Sequence, residues 1–318
     1  MSNKSLYDLI KQIEGKFYFS YDELPPLPAK PVFFYHVPKT GGISLFYALR
    51  GSALSIAQTV PQLPVPKIVK WDDEAELDQF EQVHISTNTM IVSHLAYGAH
   101  TLLGENDFTL VTVLREPVSR IVSQYCYQCM RAQITPTLDA FQSFYRDLAN
   151  QNCMAKQLAP AGLAVATADD GDVVFQHLQD NFSIYADIQY LNAIITYYLS
   201  GYKLSNAVMA PMNVTKSEFK LDIETLGCEV SEEIEALNQA DCRLHQQVVK
   251  HPRLPKSKPK NANMISPLTT ILLEAENNSA SIGGAVTRAT VETYTAMKKV
   301  DEAQEDRAIR PQDIVAAF

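Results

Sequence analysis

Residues 31–50 read PVFFYHVPKTGGISLFYALR. Val32, Phe33, Phe34 and Tyr35 make an apolar, aromatic run of strand length, and Ile43, Phe46 and Leu49 then recur at helical spacing. The reading is strand, loop, helix. Within the loop, Gly41 and Gly42 allow a sharp turn that points successive N–H groups into one concavity at a helix N-terminus, a geometry that binds phosphate. Lys39 adds a mobile positive charge, and Thr40 and Ser44 add hydroxyl donors. The competing reading of the same loop is a strand-to-helix turn whose glycines serve only tight packing.

Thr89–Ser93 is a second strand, ending at His94-Leu95-Ala96-Tyr97-Gly98. Phe108 to Leu114 (FTLVTVL), rich in β-branched residues and free of charge, is a third, central and buried. Arg115 closes it. Pro117 suits the first turn of a helix in which Val118, Ile121, Val122, Tyr125 and Cys126 face the sheet, leaving Ser123 off the apolar stripe. Open α/β sheets gather ligands beyond the carboxyl ends of their strands, so His94 and Lys39 share a crevice if their strands are neighbours. For Arg120 the simplest reading is an ion pair with Glu116 one turn earlier.

The lysine precedes the glycines, unlike G-x-x-x-x-G-K-[ST], which disfavours a kinase or GTPase. The order H-V-P-K-T-G-G-x-S-L instead resembles the 5′-phosphosulfate loop of sulfotransferases, in particular the carbohydrate O-sulfotransferases that use 3′-phosphoadenosine 5′-phosphosulfate (PAPS). Leu114 to Tyr125, of the form L-R-[DE]-P-x-x-R-x-x-S-x-[YF], resembles the segment that binds the 3′-phosphate in the same family. The resemblance spans residues 31 to about 250. It implies an α/β, P-loop-like three-layer fold with a mostly parallel central sheet flanked by helices, and an enzyme with PAPS as co-substrate and 3′-phosphoadenosine 5′-phosphate (PAP) as product. It further implies nucleotide binding by Pro38, Lys39, Thr40, Gly41, Gly42, Ile43, Ser44, Arg115, Ser123 and, in a late N-V-T segment, Asn213. Lys39 and His94, the latter in an H-x-x-[YF]-G stretch, are the implied catalytic pair, with His94 as general base and no metal. At Lys156, within N-x-x-x-K-x-L, the chain departs from the family's usual arginine. A non-catalytic nucleotide- or glycan-binding protein on the same fold is the alternative from another class.

The formal charge of −9 makes the surface as a whole repel nucleic acid and long polyanions, so the expected partner is a hydroxylated acceptor such as a neutral glycan or glycolipid. No apolar run approaches the roughly 20 residues that span a bilayer, and MSNKSLYDLIKQIEGK lacks a signal core, which predicts a cytoplasmic protein. Five cysteines, an odd number, suit reduced thiols, and Cys126-x-x-Cys129 reads as buried small hydrophobes. The predicted organisation is an N-terminal helix and proline-rich linker (1–30), a sulfotransferase domain (31–250) and a C-terminal extension (251–318). Within it, 52–70 reads as a surface connection, 71–80 as a solvated helix and 137–158 as helical. Residues 169–172 read as an acidic loop, 184–201 as a helix, and 219–247 as one or two helices.

Overall fold

The computed structural model describes residues 17–20, 26–59, 65–77, 84–202, 204, 206–208, 217–221, 226–255, 260–261 and 269–273. In chain order the elements are β1 (Phe17–Ser20), β2 (Val32–Tyr35), α1 (Gly42–Thr59), β3 (Lys67–Lys70), β4 (Thr89–Ser93), β5 (Thr109–Leu114), α2 (Pro117–Ala132), α3 (Leu138–Arg146), α4 (Cys153–Leu158), α5 (Ala168–Asn181), β6 (Phe182–Asp187), α6 (Leu191–Gly201), β7 (Asn206–Val208), α7 (Cys228–Leu237), α8 (Gln239–Lys250), β8 (Lys260–Asn261) and β9 (Thr269–Leu273).

The central sheet has five strands in the order β3-β4-β2-β5-β6, all parallel. β2 lies at its middle because its residues suit burial on both faces. Val32 and Phe34 join the core formed with Leu45, Leu49, Ile194, Ile195 and Leu199 of α1 and α6. Phe33 and Tyr35 point the other way, into Val174, Leu178, Leu244 and Val248 of α5 and α8. Helices therefore cover both faces, giving the three layers expected of an α/β chain. Phe33 and Phe34 have no exposed surface, and burying each contributes about 1.5–3 kcal/mol, which fixes the strand on both sides. A third cluster joins α2, α3 and α7, with Cys126 and Cys129 buried and unbridged inside it.

Several segments differ from expectation, each for a local reason. α1 runs on through Ser52 to Thr59, and Lys67–Lys70 is an edge strand whose flanking lysines mask its β character. Trp71 is fully buried instead of lying on a solvated helix, Glu74–Glu76 makes a short 3-10 turn, and residues 78–80 of that reading lie outside the described residues. The acidic run at 169–172 opens α5: Thr167 and Asp170 form a reciprocal capping box, and carboxylates are favoured in a first helical turn. Ile184 belongs to β6, so the helix read from 184 begins at Leu191. Of the helix expected over 1–20, residues 17–20 form a strand, consistent with the β preference of Phe17-Tyr18-Phe19. β1 pairs antiparallel with β8 and β9, and β9 pairs with β7, so a second, four-stranded sheet draws on both the N-terminal and C-terminal segments. Among the described residues no helix is long and apolar enough to cross a membrane.

Candidate functional site

β2 has β4 on one side and β5 on the other, and the chain visits the two sides at different times, so a crevice opens beyond the carboxyl end of β2. The loop 38–42 fills its floor. Lys39 and Gly41 both adopt left-handed backbone, φ +71° and +86°, and Thr40 folds back so that its N–H and Oγ1 both donate to the Val37 carbonyl, at 3.3 and 2.8 Å. Holding a lysine at positive φ costs energy, and such strain gathers at ligand sites. The glycines are also demanded by packing. A Cβ at Gly41 would lie 2.5 Å from Leu191 Cδ2, and one at Gly42 would lie 2.2 Å from His36 Cδ2. Packing and anion binding thus ask for the same residues.

Two helices start at this crevice, and they treat their positive ends differently. The first turn of α1, an 18-residue helix, contains no acidic residue. That of α2 is closed by Glu116, whose two carboxylate oxygens accept from the N–H groups of Val118 and Ser119 at 2.8 and 2.7 Å. The acid-free first turn and the helix dipole therefore favour an anion at α1. Lys39 is the cation nearest in sequence to that end, and its Nζ lies 4.1 Å above the centre of the Tyr127 ring.

His94 follows β4 directly. Its Nδ1 lies 2.8 Å from the His36 carbonyl, which can only accept, so Nδ1 carries the proton and Nε2 keeps its lone pair. The backbone N–H donates to Asp72 Oδ1 at 3.1 Å, and Asp72 Oδ2 meets Lys70 Nζ at 2.7 Å. The His94 ring is stacked at 4.2 Å on that of His36. His36 is buried, its Nδ1 has no hydrogen-bond partner, and burial, then the nearby His94, Lys70 and Lys39, hold its pKa well below the ordinary histidine value. His100 is committed elsewhere: its Nδ1 accepts from the Tyr35 hydroxyl, and burial lowers its pKa. His84 is exposed.

A buried neutral histidine makes stability depend on pH with a definite sign. Because the folded pKa of His36 lies below the unfolded value of about 6.5, the unfolded chain binds the extra proton more readily below that pH. Stability is then full above about pH 6.5 and falls with acidification, by up to about 1.4 kcal/mol per pH unit for one such group. Urea unfolding of the wild type and His36→Gln from pH 7.5 to 5 measures this: the wild type should show the steeper loss, and equal slopes would remove His36 as the cause.

Arg115 extends from the end of β5, and its Nη1 donates to the Lys39 carbonyl at 3.3 Å. Partial burial lowers its pKa, while Glu116 and Asp187 oppose the shift. Ser123 is half-buried on α2, and Tyr127 lies one helical turn beyond it. Arg120 does not pair with Glu116, whose carboxylate is used in the cap. It is buried, with Nη2 on the Asn150 carbonyl at 3.4 Å. Lys156 is exposed and donates to the Leu148 carbonyl at 2.8 Å. Asn213 lies outside the described residues.

Pro38, Thr40, Gly41, Gly42, Ile43 and Ser44 accompany Lys39 on the loop and the first turn of α1, with His94 and Arg115 on the neighbouring strand ends. Two site residues escaped the sequence reading. His36 stands at the head of the glycine-loop motif without an evident role, and Gln157 gives no signal beyond being a polar residue in a mostly apolar segment. No protein-family model and no curated protein matches the chain.

Proposed function

We propose that the protein is a sulfotransferase that moves the sulfuryl group of PAPS to a hydroxyl of a carbohydrate or other hydroxylated acceptor. The observation that carries this reading is the meeting, at one crevice, of an acid-free helix N-terminus flanked by Lys39 with a histidine whose Nε2 is left as the proton-accepting atom. A site that only bound a nucleotide would have no use for such a base. In the reaction, the acceptor oxygen forms a bond to sulfur as the bond from sulfur to the 5′-phosphate oxygen breaks. His94 Nε2 takes the hydroxyl proton. Lys39 and the N–H groups of the loop hold the charge that returns to the departing nucleotide phosphate. The two motifs resembling sulfotransferase segments support the assignment of Arg115 and Ser123 to the 3′-phosphate, where a planar guanidinium can grip two oxygens. The overall negative charge favours a neutral glycan or glycolipid as acceptor.

Sulfur-labelled PAPS incubated with the protein and a panel of neutral glycans, glycolipids and small alcohols tests the activity. Transfer into one class is expected, and none into any class would overturn it. Nucleotide selectivity tests the site separately. Loss of a charged hydrogen bond costs about 1.5–3 kcal/mol, so PAP should bind about 10- to 150-fold more tightly than 5′-AMP, and Arg115→Ala should shrink the ratio. Calorimetry giving equal affinities for the two nucleotides would remove Arg115 and Ser123 from the 3′-phosphate.

A further inference from the structure

We infer that Gln157 is the positioning residue for His94: by holding the His36 carbonyl, it fixes which ring nitrogen of His94 is basic. The kinetic part of this inference rests on the sulfotransferase reading, and the tautomer part does not.

Gln157 sits on α4, a six-residue helix too short to hold itself, and α4 is clamped to α8 by buried polar groups. Asp241, without exposed surface, accepts from the N–H groups of Met154 and Ala155 at 3.2 and 2.7 Å, closing the N-terminus of α4. Asn152, at φ +51°, donates its N–H to Asn238 Oδ1 at 2.8 Å and accepts from the Asp241 N–H at 3.2 Å. One turn on, this anchored helix delivers Gln157 between the segments that follow β2 and β4. Gln157 Nε2 donates to the His36 carbonyl at 3.2 Å and to the Leu95 carbonyl at 3.3 Å, and the Gln157 carbonyl accepts from the Tyr97 N–H at 2.7 Å.

The His36 carbonyl therefore has two donors, Gln157 Nε2 and His94 Nδ1, which matches its two lone pairs. Gln157 is 9% exposed, so little water is at hand to replace its amide. Without that amide, the carbonyl that selects the His94 tautomer loses the group that orients it. The same amide joins Leu95, next to His94, to His36, three residues before Lys39, so it ties the base to the segment that enters the anion loop.

The test uses the full-length chain labelled with 15N-histidine, without nucleotide, and reads the His94 ring nitrogens by NMR, assigned by difference from His94→Gln. The wild type should show the proton on Nδ1, and Gln157→Leu should give a mixture of tautomers. With PAPS and an acceptor, Gln157→Leu should lower kcat about 3- to 10-fold, the worth of one hydrogen bond, while PAP affinity changes less than about twofold. A wild-type proton on Nε2 overturns the inference at once, without any variant. An unchanged tautomer ratio in Gln157→Leu also overturns it, and so does a fall in PAP affinity as large as the fall in kcat, since that marks a general structural role. If Gln157→Leu does not fold, Gln157→Asn, one methylene too short to reach both carbonyls, carries the same comparison. Absence of sulfuryl transfer in every variant sinks the functional reading while the tautomer comparison still decides the role of Gln157.

Discussion

His94→Ala is expected to lower sulfuryl transfer about 10²- to 10⁴-fold with little change in PAP affinity. An alcohol is a weak nucleophile at neutral pH, and a base aligned with its proton acts in the transition state without contributing to nucleotide binding. The structure sharpens the expectation. Nδ1 is occupied by the His36 carbonyl, so only Nε2 can accept, and a ring that has taken a second proton has no acceptor left. The rate at saturating PAPS should therefore fall on the acid side, and that limb should vanish in His94→Ala. His100→Ala and His84→Ala are the controls: His100 is bonded to Tyr35 and His84 is exposed, so neither should reproduce the loss. Full turnover in His94→Ala would place the base elsewhere and leave the crevice as a binding site.

The second large effect belongs to Lys39. In the proposed reaction negative charge builds on the phosphate oxygen of the nucleotide as sulfur leaves, and a preorganised cation there is worth more in the transition state than in the ground state. Lys39→Ala should lower kcat about 10²- to 10³-fold and PAP affinity by only about tenfold. Residue 39 keeps its carbonyl on Arg115 in the variant, so the loop should survive the change and the loss can be assigned to the ammonium. Turnover near wild type with collapsed PAP binding would make Lys39 an anchor alone. The Nζ above Tyr127 shows that the side chain has a defined position on the α2 side of the crevice, next to the face that carries Ser123.

The layers of the fold were legible because the decisive signals were local. β2, the glycine loop and α1 lie within 28 residues, and the apolar run of β5 cannot be taken for anything but a buried strand. The elements misread were those whose local pattern was overridden by position. The KIVK strand is bracketed by charge because it forms an edge, and the strand containing Ile184 is short enough that its apolar residues also fit a helical period. At the candidate site, the glycine loop and the lysine could be read from the sequence, and His94 and Arg115 were named from the resemblance; the structure sets them on the ends of neighbouring strands. Gln157 could not be read in either way, because its work is done through backbone carbonyls of segments 62 and 121 residues away, and no periodicity encodes such a contact. Lys156, which the resemblance picked out in the same helix, donates to the Leu148 carbonyl.

The hydrogen bond from Arg115 to the Lys39 carbonyl has an asymmetry that bears on how such a chain can change over generations. A carbonyl is the same on every residue, so the bond is indifferent to which side chain stands at 39 and requires only that the backbone keep its left-handed turn. A change at 39 can alter the charge the loop presents without loosening its frame, whereas a change at 115 removes one of the bonds that hold the loop. Substitution is thus easier at the lysine than at the arginine that holds its backbone.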